Sequence, residues 1–210
     1  MKLRLLAAAG AAVLLAGCGS VHPGAAAVVG DTSISMGHAD DTARVYCRLA
    51  LLSSQSGSPI SNADVRRQAV TDLVFGVVAR EMAAKQKLTP NPSAYEVTPA
   101  QRTEIAKSFP AGQVDDVVDA VIDSQRTYAI AQLLGEKKVN DPDAEATQLQ
   151  DEGLKQIEAE VARLDVRFDP RFGIGRNGRP RAATGSLSVP VHAPSASDQK
   201  ELPATQRCSS

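Results

Sequence analysis

Ser61–Lys87 reads SNADVRRQAVTDLVFGVVAREMAAKQK, and this stretch decides the fold. Val70, Leu73, Val74, Val77, Val78 and Met82 fall three and four residues apart, which lines them along one side of a helix. The stripe is wide, so the helix is expected to lie in a core rather than skim a surface. Ser61-Asn62-Ala63-Asp64 supplies its start, the serine accepting from a backbone amide and the aspartate answering back in a capping box.

Upstream, Met36 to about Ser54 carries Ala43, Tyr46 or Cys47, and Ala50 on one face, which predicts another helix, with Gln55 to Pro59 as a loop. Before it, Ala25 to Val29 reads as a small strand entering a turn at Gly30-Asp31, with Thr32 to Ile34 as the return strand. Downstream, Thr98-Pro99 opens a short helix to Phe109, with proline at the first position. Pro110 begins a segment in which Val114, Val117, Val118, Val121 and Ile122 repeat at helical spacing, continued by Tyr128, Leu133 and Leu134 to about Val139. Asn140-Asp141-Pro142 restarts the chain as a helix from about Asp143 to Leu164, with a narrower seam of Leu154, Ile157, Val161 and Leu164. Asp165-Val166-Arg167-Phe168 then reads as a strand closed by Asp169-Pro170. Aromatics are only 3% and Trp is absent, so the core must be built from Ala, Val, Leu and Ile. Helices suit that composition better than a β-sandwich. The expected fold is mainly α, a bundle of about five helices. After Gly173 the chain is rich in Gly, Pro, Ser, Ala and Thr. Residues 175–207 bury too little to offset ordering entropy and are expected to be mostly disordered.

The opening residues bear on location. Lys2 and Arg4 precede an apolar run from Leu5 to Leu15, the pattern of a secretory signal. The run is too short for a membrane span, which needs about 20 apolar residues. It ends in Leu15-Ala16-Gly17-Cys18, which resembles the lipobox of bacterial lipoproteins. In such a site the Cys18 thiol takes a diacylglyceryl thioether, and Ala16 and Gly17 let a peptidase approach the preceding bond. Two acyl chains hold at a bilayer where one holds marginally, each buried methylene contributing about 0.8 kcal/mol. Residues 1–17 are thus expected to leave as a signal peptide and residues 18–24 to form a lipidated tether. The rest would lie on the extracytoplasmic face of the cell membrane. The whole-chain charge of −1 becomes −3 once Lys2 and Arg4 are gone. That balance gives no general attraction to nucleic acid, and export argues further against such a partner. With Cys18 committed to lipid, Cys47 and Cys208 remain as a pair in an oxidising compartment. A disulfide would tie residue 208 back to the first helix; the alternative is two free thiols, one in a helix and one in a loose tail.

Few patterns point to chemistry. Gly173-Ile174-Gly175-Arg176-Asn177-Gly178 matches G-x-G-x-x-G, but a dinucleotide site needs a helix immediately after, and Arg179-Pro180 follows instead. Asp141, Asp143, Glu145 and Glu152 sit at EF-hand ligand positions, yet Ala146 stands where the sharp turn requires glycine. Acids that favour a helix N-terminus explain them more simply. Asp115, Asp119 and Asp123 form an acidic ladder, with Asp116 beside it, expected to be a solvated face. His22, His38 and His192 have no metal-ligand partners at suitable spacing, and neither G-x-S-x-G nor H-E-x-x-H occurs. The reading is non-enzymatic, with no metal and no cofactor. Arg163, Arg167, Arg171, Arg176, Arg179 and Arg181 against Asp165 and Asp169 give a local charge of +4. This is read as a tail kept soluble by charge, with attraction to an anionic leaflet as the alternative.

Three pieces then line up. Ala26-Ala27-Val28-Val29-Gly30-Asp31-Thr32-Ser33-Ile34 precedes the helices, and Val166 to Phe168 runs into Asp169-Pro170-Arg171-Phe172-Gly173. The arrangement over residues 25–173 resembles the N-terminal chaperone domain of SurA-type proteins, in the form found in actinobacterial lipoproteins. There an A-x-V-V-G-x-x-x-I opening leads the first helix and a V-x-x-x-P-R-[FY]-G strand closes the domain. The resemblance implies first and last strands paired beside a helix cluster, leaving an apolar cradle for extended client chains. It places the domain at 25–174 and a Gly/Pro/Ser-rich, largely disordered tail at 175–210. The residues after Gly173 are too few and too polar for a parvulin domain, which argues against prolyl isomerase activity. The expected function is a lipid-anchored holdase for exported unfolded polypeptides. The alternative is a non-catalytic envelope adaptor for one folded protein partner, and an isomerase-related protein is disfavoured. The sequence nominates no client-binding residue and leaves the oligomeric state open.

Overall fold

The computed structural model describes residues 23–54, 59–175, 178–180 and 202–208. The signal peptide, Cys18 and most of the tether lie outside the described residues, as do His22 and His192. No helix among the described residues is long and apolar enough to cross a membrane.

The fold is mainly α: five helices with a small three-stranded antiparallel sheet. Strand β1 (Ala25–Val29) turns through Gly30 into β2 (Thr32–Ser35), which runs straight into helix α1 (Met36–Ser53). Gly30 takes φ 54°, the left-handed conformation that a tight hairpin turn asks of glycine. Helices α2 (Asn62–Gln86), α3 (Pro99–Ser108), α4 (Val114–Val139) and α5 (Ala146–Arg163) follow, then strand β3 (Val166–Phe168). β1 lies centrally in the order β2-β1-β3, with Val29 opposite both Thr32 and Val166. Ala26 to Val29 are buried, so both faces of the central strand are covered.

α2 is the core helix its stripe predicts, with Val70, Val74 and Val78 completely buried. Each such side chain contributes about 1.5–3 kcal/mol relative to exposure. Its start differs in one detail. The Ser61 hydroxyl accepts from the Asp64 amide, but the Asp64 carboxylate turns to Arg67. The reciprocal capping box belongs to α3, where Thr98 and Gln101 exchange both bonds.

The seam of α5 is also displaced. Leu149, Gly153, Ile157 and Val161 are its buried residues, four apart, while Leu154 and Leu164 are only partly covered. Two glycines cause the shift. A Cβ built on Gly153 would stand 1.8 Å from the Ala131 carbonyl oxygen, and one on Gly135 would stand 1.9 Å from that of Leu149. α4 and α5 therefore meet backbone to backbone, closer than any side chain allows.

Cys47 and Cys208 are joined by a disulfide across 161 positions. The Cys208 amide donates to the Ile60 carbonyl at 2.8 Å, and Ser61 and Arg207 form an antiparallel bridge. Parts of the 175–210 segment thus depart from the expected disorder. Gly178 lies where an added Cβ would come within 3.5 Å of Phe75 and 3.7 Å of Val161, and Ile174 pairs with Pro180. A covalent tie and backbone pairing supply the order that composition alone could not. Residues 181–201 lie outside the described residues.

Candidate functional site

Two adjoining depressions of about 460 Å3 and about 430 Å3 run along the junction of α1, α2 and α4. Tyr46, Asp72, Ala120, Ser124 and Tyr128 line both, so they form one groove with these residues at its waist. Helical geometry places them there. Tyr46 follows the buried Val45 and precedes the disulfide-bonded Cys47, and it packs against the small clusters on either side. Asp72 stands on α2 next to the partly buried Leu73, at the side of the helix that faces α1. Gly76 widens the floor: a Cβ there would approach the Thr127 hydroxyl to 3.3 Å.

The waist is polar and half-buried. The Tyr46 phenol and the Asp72 carboxyl both lie in this waist, near enough to influence each other's ionisation. Burial pushes the Asp72 carboxyl up to about 6, against the opposing polar influence of Tyr46 and Gln68. Burial first, then the Asp72 charge, drives the Tyr46 phenol above its ordinary value, so it remains a neutral donor.

The two arms differ in character. One carries Asp41, Asp116, Asp119 and Asp123, with Arg80 and His38 as its basic residues. Arg80 lies 3.6 Å from Asp123 across α2 and α4, and Asp41 pairs with Arg44 outside the lining. The remaining excess is negative. The other arm is built from Leu49, Ala50, Val65 and Val121. Leu49 is 38% exposed and Tyr128 47%, large apolar surfaces left open on the groove wall. An acidic arm, an aromatic waist and an apolar arm together are equipped to recognise a chain that is cationic at one point and apolar beside it.

The motifs singled out in the sequence are distributed elsewhere, with one exception. The acidic ladder is largely solvated, as expected, with Asp115 and Asp119 exposed and Asp123 partly so, but its members have different neighbours. Asp115 pairs with Arg102 on α3, whereas Asp119 and Asp123 turn into the groove with Asp116. The EF-hand-like acids are not gathered: Asp141 accepts from the Asp143 amide, Glu145 begins α5, and Glu152 pairs with Lys155. Among the described residues, no group of three or more His, Cys, Asp or Glu is placed to hold a metal ion. The described part of the glycine-rich stretch closes as a turn, with the Gly178 amide donating to the Gly175 carbonyl. In the arginine-rich stretch, Arg163 pairs with Glu160, Arg171 with Asp169 and Arg179 with Glu158. Arg176 and Arg181 lie outside the described residues. Tyr46, Asp72, Arg80 and Tyr128 are the site residues that the sequence did not single out. Asp72 left the clearest trace, a lone acid inside the apolar run of α2.

No family model matches this chain, no curated protein matches it, and no solved structure matches it.

Proposed function

We propose that this chain is a non-catalytic, lipid-anchored, SurA-like holdase that receives extended segments of exported polypeptides in the α1–α2–α4 groove. The favoured segment carries a lysine or arginine next to apolar residues. The observation that carries this reading is the continuity of an acidic arm with an apolar one through the shared waist. Apolar contact supplies most of the affinity, at about 25 cal/mol per Å2 removed from water before ordering costs. Exposed ion pairs add about 0.2–1 kcal/mol each and weaken with salt. The pairing of β1 with β3 beside the helices is the arrangement that the SurA-type resemblance implies, and it supports the reading. The Leu15-Ala16-Gly17-Cys18 motif supports the anchor and the extracytoplasmic position.

Suppression of aggregation tests the proposal. The chain at near-stoichiometric amounts is expected to hold several unrelated unfolded proteins in solution. Leu49→Glu combined with Tyr128→Glu should abolish that effect while leaving the fold intact, because both side chains are exposed. Failure with every client removes the holdase. A single dominant partner in a pull-down from envelope extract would favour the adaptor instead. Cys18→Ser should move the protein out of the membrane fraction; retention there contradicts the anchor.

A further inference from the structure

We propose that the Cys47–Cys208 disulfide is a redox clasp: an external dithiol opens it in the folded protein, and the released segment uncovers apolar surface beside the groove. The bond is reachable from solvent. Cys47 and Cys208 both line an open depression of about 410 Å3. Cys47 is buried, at 8% exposure, but Cys208 is only half-buried, so its sulfur is the one an attacking thiolate meets first. The fastened segment, Leu202–Cys208, buries none of its residues. It makes a short turn at Ala204–Gln206, and its backbone meets the start of α2 at the bridge of Arg207 with Ser61. The Cys208 amide completes that pairing at the Ile60 carbonyl. A segment with no buried side chain gains too little from contact to offset its ordering entropy, so the covalent link is what keeps it in place.

The surface beneath is apolar. Ala43, Cys47, Val65 and Ala69 form a small cluster distinct from the main core, and Cys208 and Ile60 pack against it. Tyr46 packs there too, and both Tyr46 and Val65 line the apolar arm of the groove. The cluster therefore connects the clasp to that arm. Thiol–disulfide exchange supplies the step. A thiolate of the dithiol attacks the Cys208 Sγ, the bond to the Cys47 Sγ breaks, and Cys47 leaves as a thiolate that takes a proton from water. The second thiolate of the dithiol then displaces Cys208 from the mixed disulfide. Two electrons pass to the protein, the dithiol leaves as a disulfide, and both cysteines end as thiols. With the tie gone, the segment departs and Ile60 and Val65 gain exposure. The effect on clients rests on the groove reading, because an enlarged apolar arm binds an apolar segment more tightly. The opening of the clasp does not.

The experiment uses the full chain with Cys18→Ser, so that Cys47 and Cys208 are its only cysteines. Dithiothreitol is added without denaturant, and free thiols are counted by alkylation and mass. Two alkylated cysteines are expected, with amide exchange at Arg207 and Cys208 faster by about tenfold or more. The buried stretch of α2 around Val70, Val74 and Val78 should keep its protection, which separates opening of the clasp from unfolding. An apolar extended peptide, followed by fluorescence anisotropy, should bind the reduced form about threefold more tightly or better. Cys47→Ala/Cys208→Ala, open under all conditions, should match the reduced protein; Cys208→Ser takes its place if the double variant does not fold. Reduction only after α2 loses protection, or unchanged exchange at 207 and 208 once reduced, overturns the clasp. Equal peptide affinity in the two forms overturns its effect on clients. Peptide binding in neither form overturns the groove reading instead, since exchange at 207 and 208 reads the clasp by itself.

Discussion

Asp72 holds its proton more tightly in the folded protein than in the unfolded chain, because burial raises its carboxyl from 3.8 to about 6. The protonated form therefore favours the fold. This stabilisation is fully present below about pH 4 and is lost as pH rises through about 6. Between pH 4.5 and 7.5 the change amounts to about 2 kcal/mol. Asp72→Asn keeps the shape and removes the titration. The stability of the native protein minus that of Asp72→Asn should fall by about that amount across the same range, read from denaturant unfolding. Glu160 and Asp169, whose carboxyls are held low by Arg163 and Arg171, act with the opposite sign in both proteins and cancel. A pH-independent difference contradicts the buried carboxyl. The sequence hinted at this residue only by placing one acid in an apolar run. The acidic ladder was plain as a pattern, but its division between Arg102 and the groove depends on how α3 and α2 lie against α4. Residue spacing holds no information about that.

At the scale of elements, helices and strands follow from apolar periodicity and from turn residues, and their bounds agree closely with the sequence reading. The exceptions are local and have causes. Asp64 prefers a guanidinium to a backbone amide, and the α5 seam follows glycines that hydrophobic counting ignores. Close approach at Gly135 and Gly153 leads to a sharp expectation. Gly153→Ala gains about 1 kcal/mol of helix propensity but must force the helices apart, at about 1–3 kcal/mol or more. Net destabilisation in thermal and denaturant unfolding is expected. Gly37, at the exposed start of α1 with nothing near its absent Cβ, is the control: Gly37→Ala should be neutral or mildly stabilising. A stabilised Gly153→Ala would contradict the backbone contact between α4 and α5.

The whole molecule combines features that no single element carries. The groove needs three helices, and its waist joins residues 46, 72 and 128. The Cys47–Cys208 disulfide ties together positions 161 residues apart. Pairing of Cys47 with Cys208 was open in the sequence because connectivity follows from geometry, and the groove was illegible because periodicity shows which residues are apolar, not which remain uncovered. Recognition of an extended chain in that groove is open to test with a matched pair of labelled peptides. One peptide carries a lysine between apolar residues; the other carries glutamate at the same place. Fluorescence anisotropy should show the lysine peptide binding more tightly, with an advantage that shrinks as salt rises and disappears in Asp119→Asn/Asp123→Asn. Equal affinity for both peptides, or a preference for glutamate, would contradict it.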